Sequence, residues 1–197
     1  MKFFSPVFLS KAGQYALLLL PAFLPGNKSF TQKALITAVS HREEYTCIPC
    51  GNDCDNEVYN EPGTCKYCNM PLVKKSAILF KNITPDELCK IVSTHKNVVL
   101  LDVRSPEEFT GKAGPNYGHL KNAININIKE LDKKMDELKA WKNKEIIVYC
   151  SHSHRSPQAS YMLTQNGFTN VRNMLGGMST WEESVKNNPL AKKLLIK

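Results

Sequence analysis

No stretch of this 197-residue chain stays apolar for the roughly 20 residues that a membrane-spanning helix needs. The nearest candidate, Tyr15 to Leu24, is too short, contains Pro21 and is ended by Pro25-Gly26. With Lys2 and Lys11 ahead of it, residues 1–26 read as a secretory signal, and an uncleaved anchor is the alternative because no A-x-A site stands out. No cysteine follows within the next few positions, which argues against a lipoprotein. The expected location is outside the cytoplasm, in a bacterial periplasm or cell envelope, with membrane contact only if the leader is kept. Internal repeats and low-complexity tracts are also missing. The formal charge is +8, yet no concentrated basic face emerges, since the excess falls mostly in Met1 to Glu44 and Lys186 to Lys197. No nucleic-acid partner is expected.

What is present begins with alternation. Thr84-Pro85-Asp86-Glu87 opens a helix carrying Leu88, Ile91 and Val92, and Val98 to Val103 is a strand. Lys129 to Glu145 mixes both charge signs around Leu131, Met135, Leu138 and Trp141, the pattern of an amphipathic surface helix. A second strand, Ile146 to Tyr149, precedes a helix bearing Ala159, Met162 and Leu163 that ends at Gly167, and a short strand follows around Val171. Strands alternating with helices predict an α/β fold: a parallel sheet covered by helices on both faces, with the ligand at the strands' carboxyl ends. Cys89 falls within the first helix and reads as a core-edge residue.

The chemistry concentrates in one strand-to-helix loop. Cys150 ends the apolar run Glu145 to Tyr149, Ser151, His152, Ser153 and His154 follow, and Arg155 precedes Ser156-Pro157. Ser156 suits an N-cap and Pro157 a first helical position, so the loop faces a helix N-terminus. Backbone N–H groups converging there, with the helix dipole, favour a thiolate at Cys150. Arg155 adds a planar cationic fork suited to an anion. His152 and His154 are either anion or proton handlers near neutral pH or exposed polar loop residues.

The loop and three further motifs resemble the rhodanese domain of sulfurtransferases. Val98 to Phe109, with Asp102-Val-Arg104, is similar to that family's first signature; Gly118 to Asn125 is similar to its G-H-I-x-G-A-I-N element; Gly167 to Trp181 is similar to its closing G-F-x-N-V…G-G…W segment. Four residues separate Cys150 from Arg155, the count of sulfurtransferase loops, whereas related phosphatases and arsenate reductases have five. Ser153 stands where many members have Gly. The resemblance implies a Cys150 persulfide formed from thiosulfate or another persulfide and discharged to a thiol or cyanide. Arg155 and the loop from Ser151 to Ser156 would bind the anion, and Asp102 and Arg104 would frame the loop.

A second group lies upstream, in Tyr45-Thr-Cys47-Ile-Pro-Cys50 and Pro62-Gly-Thr-Cys65-Lys-Tyr-Cys68-Asn-Met70. Two C-x-x-C knuckles can aim four thiolates at one point, so Cys47, Cys50, Cys65 and Cys68 are candidate ligands for zinc or another thiophilic ion. Two disulfides are the alternative. The segment also resembles the heavy-metal-binding module Y-T-C-P-M-H…P-G-x-C-P-x-C-G-M found beside metal-efflux proteins, with Cys50 in the His position and Asn69 in the Gly position. Cys54 reads as a spare thiol between the pairs, either an alternative ligand or disulfide partner or a solvent-facing bystander, and Met70 as an apolar contact over the site rather than a soft additional ligand.

The expected organisation is therefore a leader (1–26), a linker (27–44), a four-cysteine metal-ribbon module (45–75), a rhodanese domain (76–185) and a basic tail (186–197). The expected function is sulfur transfer between a small-molecule donor and a thiol acceptor, with a metal ion in the module and a reductant protein as a further partner in an oxidising compartment. A metal-binding or metal-sensing protein that uses the rhodanese fold for sulfide supply or docking is the alternative. A catalytically silent binding domain is a third reading, against which Cys150 and Arg155 count.

Overall fold

The computed structural model describes residues 42–197. The leader and most of the linker lie outside the described residues, as does the expectation of export that rests on them. Among the described residues no helix is long and apolar enough to cross a membrane.

In chain order the elements are β1 (Tyr45–Thr46), β2 (Val73–Lys74), β3 (Lys81–Ile83), α1 (Pro85–Thr94), β4 (Val99–Asp102), α2 (Pro106–Phe109), β5 (His119–Leu120), β6 (Ile124–Asn125), α3 (Ile128–Leu131), β7 (Glu145–Tyr149), α4 (Arg155–Gln165), β8 (Asn170–Met174), α5 (Trp181–Ser184), α6 (Pro189–Leu194) and β9 (Leu195–Ile196). Five strands form one parallel sheet in the order β3-β8-β7-β4-β6. Strand β7 lies at its centre and reads almost wholly apolar because both of its faces are covered. Ile146 and Val148 pack with Leu131, Met135, Leu138, Ala159 and Leu163 on one face. Ile147 and Tyr149 pack with Leu88, Met174, Trp181 and Leu194 on the other. Each such aliphatic side chain withdrawn from water contributes roughly 1.5–3 kcal/mol. The α/β sheet covered on both faces is thus the fold that the alternation predicts.

Helix α1 starts as its sequence predicts. The Thr84 side chain accepts from the Glu87 N–H, the Glu87 carboxylate accepts from the Thr84 N–H, and Pro85 takes the first turn. Cys89 is buried on this helix.

Two expectations are corrected. Lys129 to Glu145 is not one helix: α3 stops at Leu131, and tight 3-10 turns follow at Asp132–Lys134 and Lys139–Trp141. Leu131, Met135 and Leu138 are buried nonetheless. Met135, Leu138 and Trp141 recur every third residue, and three-residue winding superimposes such positions on one side, so the same apolar spacing is satisfied without a regular α-helix. The segment 186–197 is not a tail either. Its α6 buries Ala191 and Leu194 in the core beside Trp181, and β9 pairs antiparallel with β5. Lys192 and Lys193 occupy the exposed side of that helix while Ala191 and Leu194 face inward.

The upstream cysteine segment is a small irregular unit pinned by the β1–β2 pair and a bridge between Tyr45 and Tyr59. It rests on the larger domain: Ile48 and Ile78 pack on the core, Asn82 Nδ2 donates to the Pro49 carbonyl at 3.4 Å, and Gln165 Nε2 donates to the Ala77 carbonyl at 2.9 Å.

Candidate active site and thiol cluster

Strand β7 delivers Cys150 to the carboxyl edge of the sheet, where it is buried and belongs to the core. The chain then makes a four-residue loop, Ser151 to His154, and enters α4 at Arg155. The expected cap is displaced by two residues. His154 holds the N-cap position and provides no side-chain cap, whereas Ser156 lies inside the first turn, fully buried. Its hydroxyl points back and donates to the Cys150 sulfur at 3.5 Å. Helical winding explains the contact: a serine in the first turn of α4 reaches back to the loop that the chain has just left. The first-turn N–H groups of α4 stay without a side-chain cap and carry the positive end of the helix dipole.

Ser153 has φ 57°, in the left-handed region, which accounts for glycine being common at this place in similar loops. Its buried hydroxyl accepts from Asn173 Nδ2 at 3.3 Å. From below, the Gly176-Gly177 turn supports the loop: the Met178 N–H donates to the Cys150 carbonyl and the Ser179 N–H to the Ser151 carbonyl, both at 2.9 Å. Gly177 has φ +64°, and a β-carbon there would lie 2.5 Å from the Cys150 and Ser151 carbonyl oxygens, so only glycine permits this approach.

Arg155 is not a free cation. Its guanidinium donates to both carboxylate oxygens of Glu108, at 2.6 and 2.7 Å, and to Ser151 Oγ at 3.1 Å, while Ser151 Oγ donates to Glu108 at 2.8 Å. The Arg155 guanidinium, helped by the Ser105 N–H and the Ser151 hydroxyl, pulls the Glu108 carboxyl down to about 2. Glu108 also closes a capping box with Ser105 at the start of α2. Sequence reasoning missed Glu108. The capping box was legible in Ser105-Pro-Glu-Glu108, but a partner 47 residues away was not.

Asp102 and Arg104 form a fully buried pair at the end of β4, next to β7. Arg104 donates through Nε and Nη2 to Asp102 and through Nη2 to the Gly118 carbonyl at 2.7 Å. A buried pair with its remaining groups satisfied fixes geometry more than it adds stability. His152 approaches Tyr117, ring edge to ring face, with Nε2 3.4 Å from the Tyr117 hydroxyl. His154 instead lines a cleft of about 270 Å³ with Pro157 and Gln158, whose other wall is Cys47, Ile48, Cys50, Asn52, Cys68 and Met70 of the cysteine segment. Met70 therefore covers this cleft, and its sulfur accepts from Gln158 Nε2.

The four expected ligand cysteines do not all meet. Cys47, Cys65 and Cys68 come together, and Cys54 joins them, the four sulfurs lying within 4.8 Å of one another. Cys54 is buried rather than solvent-facing. Cys50 stands aside, with its sulfur toward Asp55 and Asn52. Burial pushes the Cys54 thiol up to about 12 and Cys47 well up. Burial opposes charge on Cys65 too, yet the Cys47 thiol and the backbone N–H groups of Cys68 and Tyr67 hold it down at about 6.

A parallel α/β sheet covered on both faces, with a cysteine in a short loop between a central strand and a helix N-terminus, defines the class of fold. The rhodanese-like domain matches residues 84–184, just over half of the chain, and the chain belongs to that family. It is 32% identical over 108 residues to the uncharacterised protein YqhL of Bacillus subtilis, covering 55% of this chain and 77% of that one. It is 28% identical over 105 residues to the thiosulfate sulfurtransferase GlpE of Coxiella burnetii, covering 53% of this chain and 90% of that one. Among solved structures, a rhodanese-related protein from Thermoplasma volcanium aligns with a TM-score of 0.45 and 32% identity over 53% of this chain and 92% of that one.

Proposed function

We propose that this protein is a rhodanese-type sulfurtransferase that carries a sulfane sulfur on Cys150. The reading is carried by one observation: the Cys150 sulfur sits against the Ser156 hydroxyl at the mouth of an uncapped helix. In the first half-reaction the Cys150 thiolate attacks the outer sulfur of thiosulfate. The S–S bond of the donor breaks, sulfite leaves with the bonding pair, and Cys150 holds a persulfide anion. A persulfide donor reacts in the same way and releases a thiolate. In the second half-reaction an acceptor thiolate or cyanide attacks the terminal sulfur, and the Cys150 thiolate is regenerated.

Ser156 and the first-turn N–H groups of α4 stabilise the negative charge on sulfur. Arg155, bound to Glu108 and Ser151, is a positioning residue that braces the loop and offers the departing anion only the charge left over by Glu108. Asp102 and Arg104 hold the neighbouring strand end. The GlpE relative, whose name records thiosulfate sulfur transfer, supports this reaction class. A second reading, metal binding with the rhodanese fold as a docking surface, draws on the clustered thiols beside the His154 cleft.

The test is intact mass measurement of the reduced protein after incubation with thiosulfate. A gain of one sulfur atom that disappears in Cys150→Ser is the expected result. The same gain in Cys150→Ser would overturn the assignment of the carrier.

A further inference from the structure

The spacing of the two C-x-x-C knuckles nominates Cys47, Cys50, Cys65 and Cys68 as ligands, but the fold makes a different selection. The short 3-10 turn Asp53–Asn56 carries Cys54 back beneath the first knuckle, where it is buried with Cys47 and Cys65 and covered by Leu72. The same turn holds Cys50 away. The Asp55 carboxylate accepts from the Cys50 N–H at 2.9 and 3.1 Å and from the Gly51 N–H at 2.6 Å, which fixes the knuckle's end. Cys50 Sγ then points to Asp55 at 3.8 Å and accepts from Asn52 Nδ2 at 3.1 Å.

We propose that Cys47, Cys54, Cys65 and Cys68 form a tetrahedral thiolate site for zinc(II) or a like thiophilic divalent ion, with Cys50 outside it as a free thiol on the cleft that faces His154. The distances suit the ion. Zinc–sulfur bonds of about 2.3 Å place tetrahedral sulfurs roughly 3.8 Å apart. Here the Cys47 and Cys68 sulfurs are 3.5 Å apart, and all four lie within 4.8 Å. Hydrogen bonds from the surroundings already orient one ligand: the Tyr67 N–H donates to Cys65 Sγ at 3.4 Å, and the Tyr59 hydroxyl reaches it at 3.9 Å. Cys50, Cys54 and Asp55 also lie within reach of one another, but the Asp55 carboxylate is taken up by two backbone N–H groups, so that trio is the poorer site. The segment needs such a staple: its regular structure amounts to two two-residue strands and one 3-10 turn, too little to fold on apolar burial alone. The thiolate site is independent of sulfur transfer at Cys150.

The test uses the full chain, purified under reducing conditions with zinc, and reads metal content, native mass and cysteine alkylation. One zinc per chain is expected. Iodoacetamide should label Cys50 while Cys47, Cys54, Cys65 and Cys68 stay protected until a chelator removes the metal. Cys50→Ser should keep its zinc and the same protection, and Cys54→Ser should lose affinity by more than about tenfold in chelator competition. Cadmium substitution adds a readout that does not depend on any variant folding, since four thiolates per ion give a characteristic sulfur-to-metal absorption. Zinc lost from Cys50→Ser and kept by Cys54→Ser would overturn the ligand set. A metal-free chain lighter by four hydrogens would also overturn it, in favour of two disulfides.

Discussion

At the scale of single residues, Glu108 does the most that the motifs do not announce. One carboxylate caps α2, holds the Arg155 guanidinium and receives the Ser151 hydroxyl, so it ties the first signature of the chain to the loop that follows Cys150. Its carboxyl is depressed to about 2 from an ordinary value of 4.5, chiefly by Arg155. A depressed carboxyl contributes stability that is fully present above its unfolded value and lost as the pH falls from there through its folded value. The expected window of loss is therefore between about pH 4.5 and pH 2. Glu108→Gln should melt below the wild type at pH 6, and the gap should close across that window. Melting curves for both proteins at half-unit pH steps check it, and a gap that persists unchanged at pH 2 refutes the linkage.

At the scale of elements, helix starts show what local sequence can and cannot do. Thr84 and Glu87 cap α1 as their spacing demands, because both partners of a capping box lie within four residues. Thr84→Ala should cost about 1 kcal/mol in denaturant unfolding, without a change in the sulfur loading proposed for Cys150. Helix α4 departs from the same logic. Ser156 has the chemistry of a cap, but the helix begins ahead of it, at Arg155, and its hydroxyl is turned to Cys150 instead. The segment after α3 departs too, since its apolar spacing fits a three-residue winding as well as an α-helical one, and contact with the sheet chose the tighter form.

Considered as a whole molecule, the domain is closed by its last twelve residues. Helix α6 and strand β9 cover Trp181 and Leu120 and pair with β5, so the lysine-rich C-terminus is part of the core assembly. Leu194→Ala should destabilise the protein by about 2–4 kcal/mol, the range for a buried leucine, although the position is distant in sequence from every motif. Equilibrium unfolding in urea measures this; a cost under about 0.5 kcal/mol, the usual limit for surface changes, would mean that the segment is a loosely attached tail. Beside the start of α4 the cysteine segment contributes one wall of the cleft at His154, so access to that side of the loop depends on the segment staying folded.

The sequence by itself determined the parallel α/β sheet, the strand that ends at Cys150, the four-residue loop to Arg155, and the presence of a clustered set of thiols. These follow from local apolar runs, turn residues and short spacings, all of which act between near neighbours. Only the tertiary structure decided that Arg155 is bound to Glu108, that Ser156 serves the cysteine rather than the helix, that Gly177 alone can underlie the loop, and that Cys54 replaces Cys50 among the gathered sulfurs. Each of these depends on which groups meet after the chain has closed on itself. A charge, a hydroxyl or a thiol has several partners open to it in sequence, and packing leaves it one.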